Sequence, residues 1–225
     1  MINLRASDLH LAQPFDAPAE PPRRGIYGRG AKRALDVTLV LATLPVTLPL
    51  ILIMAMLVAL DGGNPFYVQK RLGRNGRVFR IWKLRSMVHD AEKVLKSYLD
   101  SDPAARRQWD RTQKLKRDPR VTRVGRLLRK TSLDELPQLL NVLNGTMSLV
   151  GPRPMMTGQR HLYFGHAYYR LRPGITGLWQ ISERNESEFI ARVRYDEEYE
   201  HKLSCWTDLG ILVRTVTVVL RGTGY

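Results

Sequence analysis

The chain has 225 residues, enough for one domain with a sizeable hydrophobic core. Its single cysteine, Cys205, excludes an internal disulfide framework, and its five histidines lack the spacing of zinc ligands, so any metal is expected on carboxylates. The formal net charge of +15 indicates an anionic partner, and nucleic acid, a membrane surface and a phosphorylated substrate all satisfy this condition.

The N-terminal residues 1–30 contain four prolines and little apolar periodicity, which predicts a disordered tail. No apolar segment of the signal-peptide type lies near Met1. Residues 37–60 then form a run of 24 residues without a charge. As a helix rising about 1.5 Å per residue, this run exceeds the ~30 Å hydrocarbon core of a bilayer. Residues 31–61 are therefore predicted to enter the membrane.

Two features of this apolar run argue against a simple crossing. Pro45 and Pro49 lie one helical turn apart and force a bend, and cationic residues on both sides draw both ends to the cytoplasm. A re-entrant helical hairpin satisfies both features. A kinked membrane span fits equally well from physics alone, and a buried core helix is a third alternative. Asp36 should be paired where the run begins, and Lys32 and Arg33 lie on the same helix face.

Residues 66–87 are predicted to form a β-hairpin, because Asn75 and Gly76 are a strong turn signal and β-prone residues flank them. In the second strand, Lys83 and Arg85 share a face. They are interpreted either as a solvated edge of the sheet or as a clamp for a phosphate group.

Most of the positive charge lies between Asp61 and Lys130, where 20 Lys and Arg accompany 7 Asp and Glu. This segment includes a polar helical stretch, residues 88–116, with a predicted break at Asp102. A second helix then carries a cation at roughly every third position, namely Arg120, Arg123, Arg126, Arg129 and Lys130. The cationic stripe is interpreted as a surface for anionic headgroups or as the exposed face of an ordinary helix.

Two adjacent carboxylates, Asp134 and Glu135, are predicted at the start of a further helix. Ser132 followed three residues later by Glu135 indicates a capping box, in which the hydroxyl accepts a helix N–H and the glutamate reaches back. Leucines recur at helical spacing after it and predict about three turns, ending near Gly145. Spacing alone favours a structural role, in which both carboxylates complement the helix dipole.

Arg153 and Arg172 each lie in a stiff frame of glycine and proline. Such frames fix the backbone, and an arginine fixed in this way suits bidentate recognition of a phosphate. Near the end of the chain, Asp196 lies among tyrosines and glutamates. Residues 203–220 then predict a packed or interfacial helix.

Five ordered motifs resemble those of the monotopic phosphoglycosyl transferases. These bacterial sugar transferases move a sugar 1-phosphate from a nucleotide diphosphate sugar onto a polyprenyl phosphate. The motifs are KRALD at 32–36, KLRSM at 83–87, SLDELPQ at 132–138, VGPRP at 150–154 and RPGITGLWQ at 172–180. The resemblance covers residues 32–225, and within the family the chain is most similar to the short enzymes that start succinoglycan-type exopolysaccharide with galactosyl or glucosyl phosphate.

The resemblance implies a site and a reaction. Asp134 is the implied nucleophile, which attacks the β-phosphorus of a UDP-sugar, expels UMP and holds the phosphosugar until undecaprenyl phosphate accepts it. Glu135 is the implied partner carboxylate for Mg²⁺. Implied ligands of the substrate are Lys83, Arg85, Arg129 and Arg153, with Arg172 and Asp196 as further members. Positioning and charge neutralisation of this kind dominate phosphoryl transfer. Galactose or glucose is the expected sugar, and another UDP-sugar for another surface glycan is the alternative.

The implied fold is α+β and mainly helical. It combines a re-entrant membrane hairpin (residues 31–61), a small β-hairpin and interfacial amphipathic helices around a compact cytoplasmic catalytic domain (residues 62–225). The implied location is the cytoplasmic face of the bacterial inner membrane, in contact with phospholipid, and a homodimer is left open.

Two other classes of protein compete with this interpretation. A basic nucleic-acid-binding protein would use the positive segment, but no helix-turn-helix, RRM or zinc signature supports it and it gives the apolar run no role. No nucleic-acid partner is therefore expected. A membrane scaffold with an inactive site is the other class, and the intact pair of Asp134 and Glu135 argues against it.

Two positions depart from the family pattern. Many relatives place a serine directly before the proline that breaks the membrane helix, where this chain has Leu48. Thr43 or Thr47 is therefore expected to bond the carbonyls that the prolines free. Glu183 stands where relatives usually have glycine, so the conformation of its loop is expected to differ.

Overall fold

A long apolar helix begins the described part of the chain. The computed structural model describes residues 25–112, 115, 117–182 and 189–220, so most of the predicted tail, the loop at Glu183 and the C-terminal residues lie outside it. A π-helical turn (Tyr27–Ala31) leads into helix α1 (Lys32–Ala59). The backbone stays helical through both internal prolines.

The threonines of α1 do not bond the carbonyls that the prolines free, so this expectation is wrong. A proline removes the donor to the carbonyl four residues earlier, and a hydroxyl that reaches back one turn can replace it only from particular positions. The Thr43 hydroxyl donates to the Leu39 carbonyl at 2.8 Å, and that of Thr47 donates to the Thr43 carbonyl at 3.1 Å. Position 48 could reach the carbonyl that Pro49 frees, but a leucine there has no donor.

Both ends of α1 pack on the rest of the chain, whereas its middle is exposed. Near the start, Val40 packs with Val142 and Met147. Near the end, Val58 packs with Leu84 in a second cluster. In the most apolar 18-residue stretch of this helix, only 17% of the residues are buried. The helix is nevertheless long and apolar enough to cross a membrane. The exposed middle argues against the alternative of a buried core helix.

The predicted β-hairpin is confirmed. Strands β1 (Phe66–Leu72) and β2 (Val78–Leu84) pair antiparallel, and the turn between them contains Asn75 with φ of 57°. The strand alternation that would place Lys83 and Arg85 on one face stops at Leu84, where β2 ends.

The polar stretch after the hairpin forms two helices, α2 (Ala91–Ser101) and α3 (Pro103–Thr112). The predicted break at Asp102 is confirmed, and this side chain caps α3 by accepting the Ala104 N–H at 2.8 Å. Pro103 suits the first position of α3, because its missing N–H would have no partner inside the helix there.

The predicted cationic stripe is shorter than expected. Helix α4 (Arg123–Thr131) begins after Thr122, whose hydroxyl accepts the Gly125 N–H at 2.9 Å. Arg120 therefore lies before the helix, where it forms an ion pair with Asp118 at 2.6 Å.

The remaining elements are short, apart from two helices. They are a 3₁₀ turn (Leu133–Gln138), α5 (Leu139–Leu143), β3 (Ser148–Val150), a 3₁₀ turn (Thr157–Leu162), α6 (Ala167–Arg170), β4 (Gly174–Thr176), α7 (Leu178–Ile181), α8 (Ala191–His201) and α9 (Cys205–Leu220). Strands β3 and β4 pair in parallel, and the sequence did not predict this sheet. A Cβ on Gly151 or Gly174 would collide with the backbone of the neighbouring segment, so glycine permits the close approach. The mainly helical α+β class is confirmed.

Candidate active site

A left-handed residue leads the chain into the segment with the two carboxylates. Ser132 has φ of 57° and closes α4, with its N–H donating to the Arg129 carbonyl at 3.2 Å. Its side chain does not cap the 3₁₀ turn that follows. The predicted capping box is therefore wrong, because an N-cap residue needs extended backbone. The reversal at Ser132 places Asp134 and Glu135 beside β2.

Glu135 is held by two cations. Lys83 Nζ donates to Glu135 Oε1 at 2.6 Å, and Arg153 Nη2 lies 3.9 Å from the same oxygen. Burial alone would raise the pKa of Glu135, but the positive charges of Lys83 and Arg153 outweigh it and lower the pKa to about 2. Glu135 therefore carries a lasting negative charge beside Asp134.

Asp134 has a different environment from its neighbour. Its residue is only 9% exposed, and burial raises the pKa of its carboxyl to about 6, with the charge of Glu135 adding to the effect and Lys83 and Arg129 opposing it. An aspartate with a raised pKa is still mostly ionised at pH 7 and is more basic than usual. These are the properties that a carboxylate nucleophile needs.

The two carboxylates open onto a cavity of 470 Å³ with two kinds of lining. Its charged residues are Lys83, Arg129, Asp134, Glu135 and Arg153, and its aliphatic residues are Leu133, Leu136, Leu139, Leu149, Ile175, Leu212 and Val219. A cavity with both linings suits ligands that combine an anionic group with an apolar chain.

Arg129 contributes to the cavity from α4. Its Nε donates to the Ser86 hydroxyl at 2.9 Å, in the segment that follows β2. Its charge acts on Asp134, where it opposes the effect of burial on the carboxyl pKa. Lys83, Arg129 and Arg153 are thus brought together around the two carboxylates, as a phosphate-binding site requires.

Two predicted phosphate ligands do not line the cavity. The Arg85 guanidinium donates to the Val58 carbonyl at 3.1 Å and to the Gly62 carbonyl, so it holds the end of α1. Because β2 ends before it, Arg85 does not share the orientation of Lys83. Arg172 Nε donates to the Gly145 carbonyl at 3.0 Å, in the turn after α5. Both arginines bind backbone in this structure.

Asp196 also lies outside the cavity lining. It is 6% exposed on α8 and accepts a hydrogen bond from the Tyr163 hydroxyl at 2.9 Å. Burial raises the pKa of its carboxyl to about 7, although the hydrogen bond from Tyr163 and the charge of Arg192 oppose the change. The carboxylate of Asp196 is thus buried against Tyr163 and does not line the cavity.

The raised pKa of Asp196 predicts a pH-dependent stability. The folded chain retains this proton between about pH 4 and pH 7, whereas the unfolded chain releases it, so the free energy of unfolding falls as pH rises through this window. We expect Asp196→Asn to remove on the order of 2 kcal/mol of this dependence. Thermal unfolding in detergent at pH 5 and pH 8 measures it, and identical pH dependence in both proteins would contradict the prediction.

Sequence reasoning missed three residues near the site. Trp179 lines the cavity, Arg192 stacks on it at 4.2 Å from the ring centre, and Arg71 Nη1 donates to the Pro154 carbonyl at 3.2 Å. Trp179 lies inside the motif at 172–180, and Arg192 precedes Asp196 by one helical turn, so both had a signal in the sequence. Arg71 had none, because its neighbours depend on the tertiary fold.

The start of α1 is attached beside the same cavity. Lys32 Nζ lies 4.0 Å from Asp36, as predicted, and 2.5 Å from Asp208 on α9, which was not predicted. Asp36 also accepts hydrogen bonds from the Ser148 hydroxyl at 2.6 Å and the Leu149 N–H at 3.1 Å. Since Leu149 lines the cavity, these contacts fix helix α1 relative to the site.

Arg33 makes a different contact from the predicted ion pair with Asp36. Its guanidinium donates to the carbonyls of Val142 and Leu143, the latter at 2.8 Å, at the end of α5. A cation at a helix C-terminus satisfies carbonyls that have no partner inside the helix. Lys32 and Arg33 thus attach the start of α1 to two different helices.

The carboxylates fit a partial set of ligands for Mg²⁺. Within the described residues, no group of three or more His, Cys, Asp and Glu side chains could hold a metal. Mg²⁺ commonly takes one or two carboxylates together with waters and substrate phosphates. Asp134 and Glu135 offer such a pair at the cavity.

Comparisons with known proteins identify the relatives of this chain. Residues 27–222 match the family described as Bacterial sugar transferase. The chain is 46% identical over 198 residues to the UDP-galactose-lipid carrier transferase of Erwinia amylovora, a match that covers 87% of this chain and 42% of that protein.

Two further relatives differ in length. Identity to the exopolysaccharide production protein ExoY of Rhizobium meliloti is 42% over 224 residues, which cover 98% of this chain and 99% of that protein. Identity to the UDP-glucose:undecaprenyl-phosphate glucose-1-phosphate transferase of Escherichia coli is 38% over 209 residues, 88% of this chain and 41% of that protein. The chain therefore spans less than half the length of the first and third relatives. It belongs to the bacterial sugar transferase family.

Proposed function

We propose that this chain transfers a hexose 1-phosphate from a UDP-sugar to undecaprenyl phosphate and releases UMP, as the first membrane step of exopolysaccharide synthesis. The names of the relatives from E. amylovora, R. meliloti and E. coli support the donor, the pathway and the acceptor, respectively. The observation that carries the proposal is the cavity in which buried Asp134 lies beside the ion pair of Glu135 and Lys83.

Asp134 is the nucleophile in this reaction. One of its carboxylate oxygens forms a bond to the β-phosphorus of the UDP-sugar while the bond from that phosphorus to the bridging oxygen breaks. UMP leaves with the bonding electrons. An oxygen of undecaprenyl phosphate then attacks the same phosphorus, and Asp134 is released as a free carboxylate. The product is a lipid-linked diphosphate sugar, and Asp134 gains or loses no proton in either step.

The surrounding charges lower the repulsion between a carboxylate and a phosphate. Lys83, Arg129 and Arg153 supply positive charge around the reacting groups, and charge neutralisation of this kind is the main contribution to phosphoryl transfer. Glu135 would hold Mg²⁺, and that ion would neutralise oxygens of the donor phosphates when bound.

The membrane helix is re-entrant in this account, with residues 31–61 in the membrane and residues 62–225 as the catalytic domain on the cytoplasmic face of the inner membrane. A straight helix with the length of α1 would extend about 42 Å, well beyond the ~30 Å hydrocarbon core. Asp36 at its start bonds Ser148, and Val58 near its end packs with Leu128. Because both ends contact the same domain while Val46 in the middle is 73% exposed, a return to the same face fits the contacts better than a crossing.

Cysteine labelling tests the re-entrant helix. After Cys205→Ser, single cysteines are introduced as Ile26→Cys before α1 and Asn75→Cys in the hairpin turn. We expect a membrane-impermeant maleimide to label both from the cytoplasmic side only, and to leave Val46→Cys unlabelled from either side. Labelling of positions 26 and 75 from opposite sides would establish a membrane-crossing helix instead.

A UMP-release assay tests the proposed activity. The detergent-solubilised chain is incubated with Mg²⁺, undecaprenyl phosphate and, in turn, UDP-galactose, UDP-glucose and UDP-N-acetylglucosamine. We expect UMP release with a UDP-hexose, with UDP-galactose favoured because of the resemblance to succinoglycan-type enzymes. Hexoses that differ at one hydroxyl are separated by a few hydrogen bonds, so the panel must contain both epimers. Absence of UMP with every donor would overturn the proposal.

A further inference from the structure

Three arginines form a group at the charged part of the cavity. Arg153 lines the cavity, and Arg71 and Arg192 adjoin it from outside the lining. Arg153 lies 5.9 Å and Arg192 lies 4.2 Å from the centre of the Trp179 ring, so one indole connects the two cations. Arg71 joins them from β1, because its Nη1 donates at 3.2 Å to the carbonyl of Pro154, directly after Arg153. These three residues, Arg71, Arg153 and Arg192, are called the arginine cluster below.

The orientation of Arg192 suits an anion. Its guanidinium lies between two aromatic rings, 4.2 Å from the centre of Trp179 and 4.5 Å from that of Phe189. In the part of the chain that the structure describes, no carboxylate lies within ion-pair distance of Arg192, and its buried Nε has no hydrogen-bond partner. A guanidinium with its plane fixed and donors unused at its edge is suited to bidentate binding of a phosphate.

Among the described residues, the charge of the cluster is only partly compensated. Burial lowers the pKa of Arg192 to about 10, and the nearby charges of Arg153 and Arg71 add to the effect. Arg71 also has a buried Nε without a partner among the described residues. Of the adjacent carboxylates, Glu135 is shared with Lys83, and Asp196 accepts from the Tyr163 hydroxyl. A bound anion would supply the missing negative charge.

We propose that the arginine cluster binds the α-phosphate of the donor nucleotide, and therefore also the departing UMP. This assignment rests on the proposed function. Arg153 Nη2 lies 3.9 Å from Glu135 Oε1, so the cluster adjoins Glu135. Arg129 acts on Asp134 from α4, so the two carboxylates are approached by different cations.

Steady-state kinetics with Arg192→Gln test the assignment, with Arg194→Gln as the matched control. Arg194 lies on the same helix and is exposed. Loss of one charge-assisted contact predicts a rise of about tenfold in the KM for the UDP-sugar and in the inhibition constant of UMP. The KM for undecaprenyl phosphate should change less than twofold. Arg192→Lys should give an intermediate effect, because it retains the charge without the planar donors.

Binding of UMP to the Asp134→Asn chain provides a second readout that needs no turnover. Calorimetry should show about tenfold weaker UMP binding when Arg192→Gln or Arg71→Lys is added, with unchanged thermal unfolding confirming that the variants fold. An unaltered UMP inhibition constant in Arg192→Gln would overturn the assignment. A rise in the KM for undecaprenyl phosphate alone would also overturn it and would indicate that the cluster binds the acceptor. If the wild-type chain binds UMP but releases none from any UDP-sugar, the proposed function fails instead.

Discussion

Asp134→Asn is expected to reduce UMP release by at least about 10⁴-fold, because the amide cannot form the phosphosugar adduct on which both steps depend. The substitution conserves shape and removes a charge from a residue that is only 9% exposed. Since burial raises the pKa of this carboxyl to about 6, a neutral side chain suits the site and the protein should remain folded. Initial rates at saturating UDP-sugar and undecaprenyl phosphate measure the effect.

A surface carboxylate provides the control for this variant. Asp90 has a side chain that is 67% exposed and lies just before α2, away from the cavity. Asp90→Asn should keep the wild-type rate, and both variants should fractionate with membranes. A rate in Asp134→Asn equal to that of Asp90→Asn would eliminate Asp134 as the nucleophile.

Lys83→Met is expected to lower kcat by about 10²- to 10³-fold, the range found when one preorganised electrostatic contact is lost. Lys83 donates to Glu135 at 2.6 Å and lowers the pKa of both carboxyls. Without it, Glu135 loses its ion-pair partner and Asp134 takes up a proton more readily. Rates measured from pH 6 to pH 9 should therefore show an acid limb that moves to higher pH.

Two further variants separate charge from packing at this position. Lys83→Arg keeps the cation and should recover part of the rate. Lys70→Met removes an exposed cation from β1, the paired strand, and should leave kcat unchanged. If Lys83→Met retained the wild-type rate and pH profile, the ion pair with Glu135 would have only a structural role.

Short sequence signals predicted the parts of the fold that depend on neighbouring residues alone. Asn75 and Gly76 specify a hairpin turn almost independently of context, and Pro103 after Asp102 specifies a break between helices. The apolar run predicted α1 by its length alone. The pair Asp134 and Glu135 was identified by motif, and Lys83 and Arg153, predicted with them, line the same cavity.

Other features depend on tertiary contacts that one sequence does not reveal. Ser132 matched the pattern of a capping box, but the path of the chain from α4 to the carboxylates requires a left-handed residue there. Arg85 follows Lys83 by two positions, yet the end of β2 between them changes its direction. The parallel pair β3 and β4 has only three residues in each strand, too few for a periodic signal.

The arginine cluster shows the same limit for the site. Arg71, Arg153 and Arg192 come from a strand, a loop and a helix that are far apart in the sequence. Only the fold brings Arg153 and Arg192 to Trp179 and Arg71 to the Pro154 carbonyl. Arg172 illustrates the opposite case. Its stiff frame predicted a phosphate ligand, but its guanidinium binds the Gly145 carbonyl. A rigid frame fixes the backbone without fixing where a long side chain points.

The covalent adduct on Asp134 is the most direct test of the proposed chemistry. The chain is mixed with a UDP-hexose and Mg²⁺ without undecaprenyl phosphate, quenched, and measured as intact protein and as peptides by mass spectrometry. We predict a mass gain of one hexose phosphate on the peptide with Asp134, release of an equal amount of UMP, and loss of the adduct when undecaprenyl phosphate is added. UMP release that requires the acceptor, with no adduct before it is added, would contradict the account and indicate direct transfer between the two substrates.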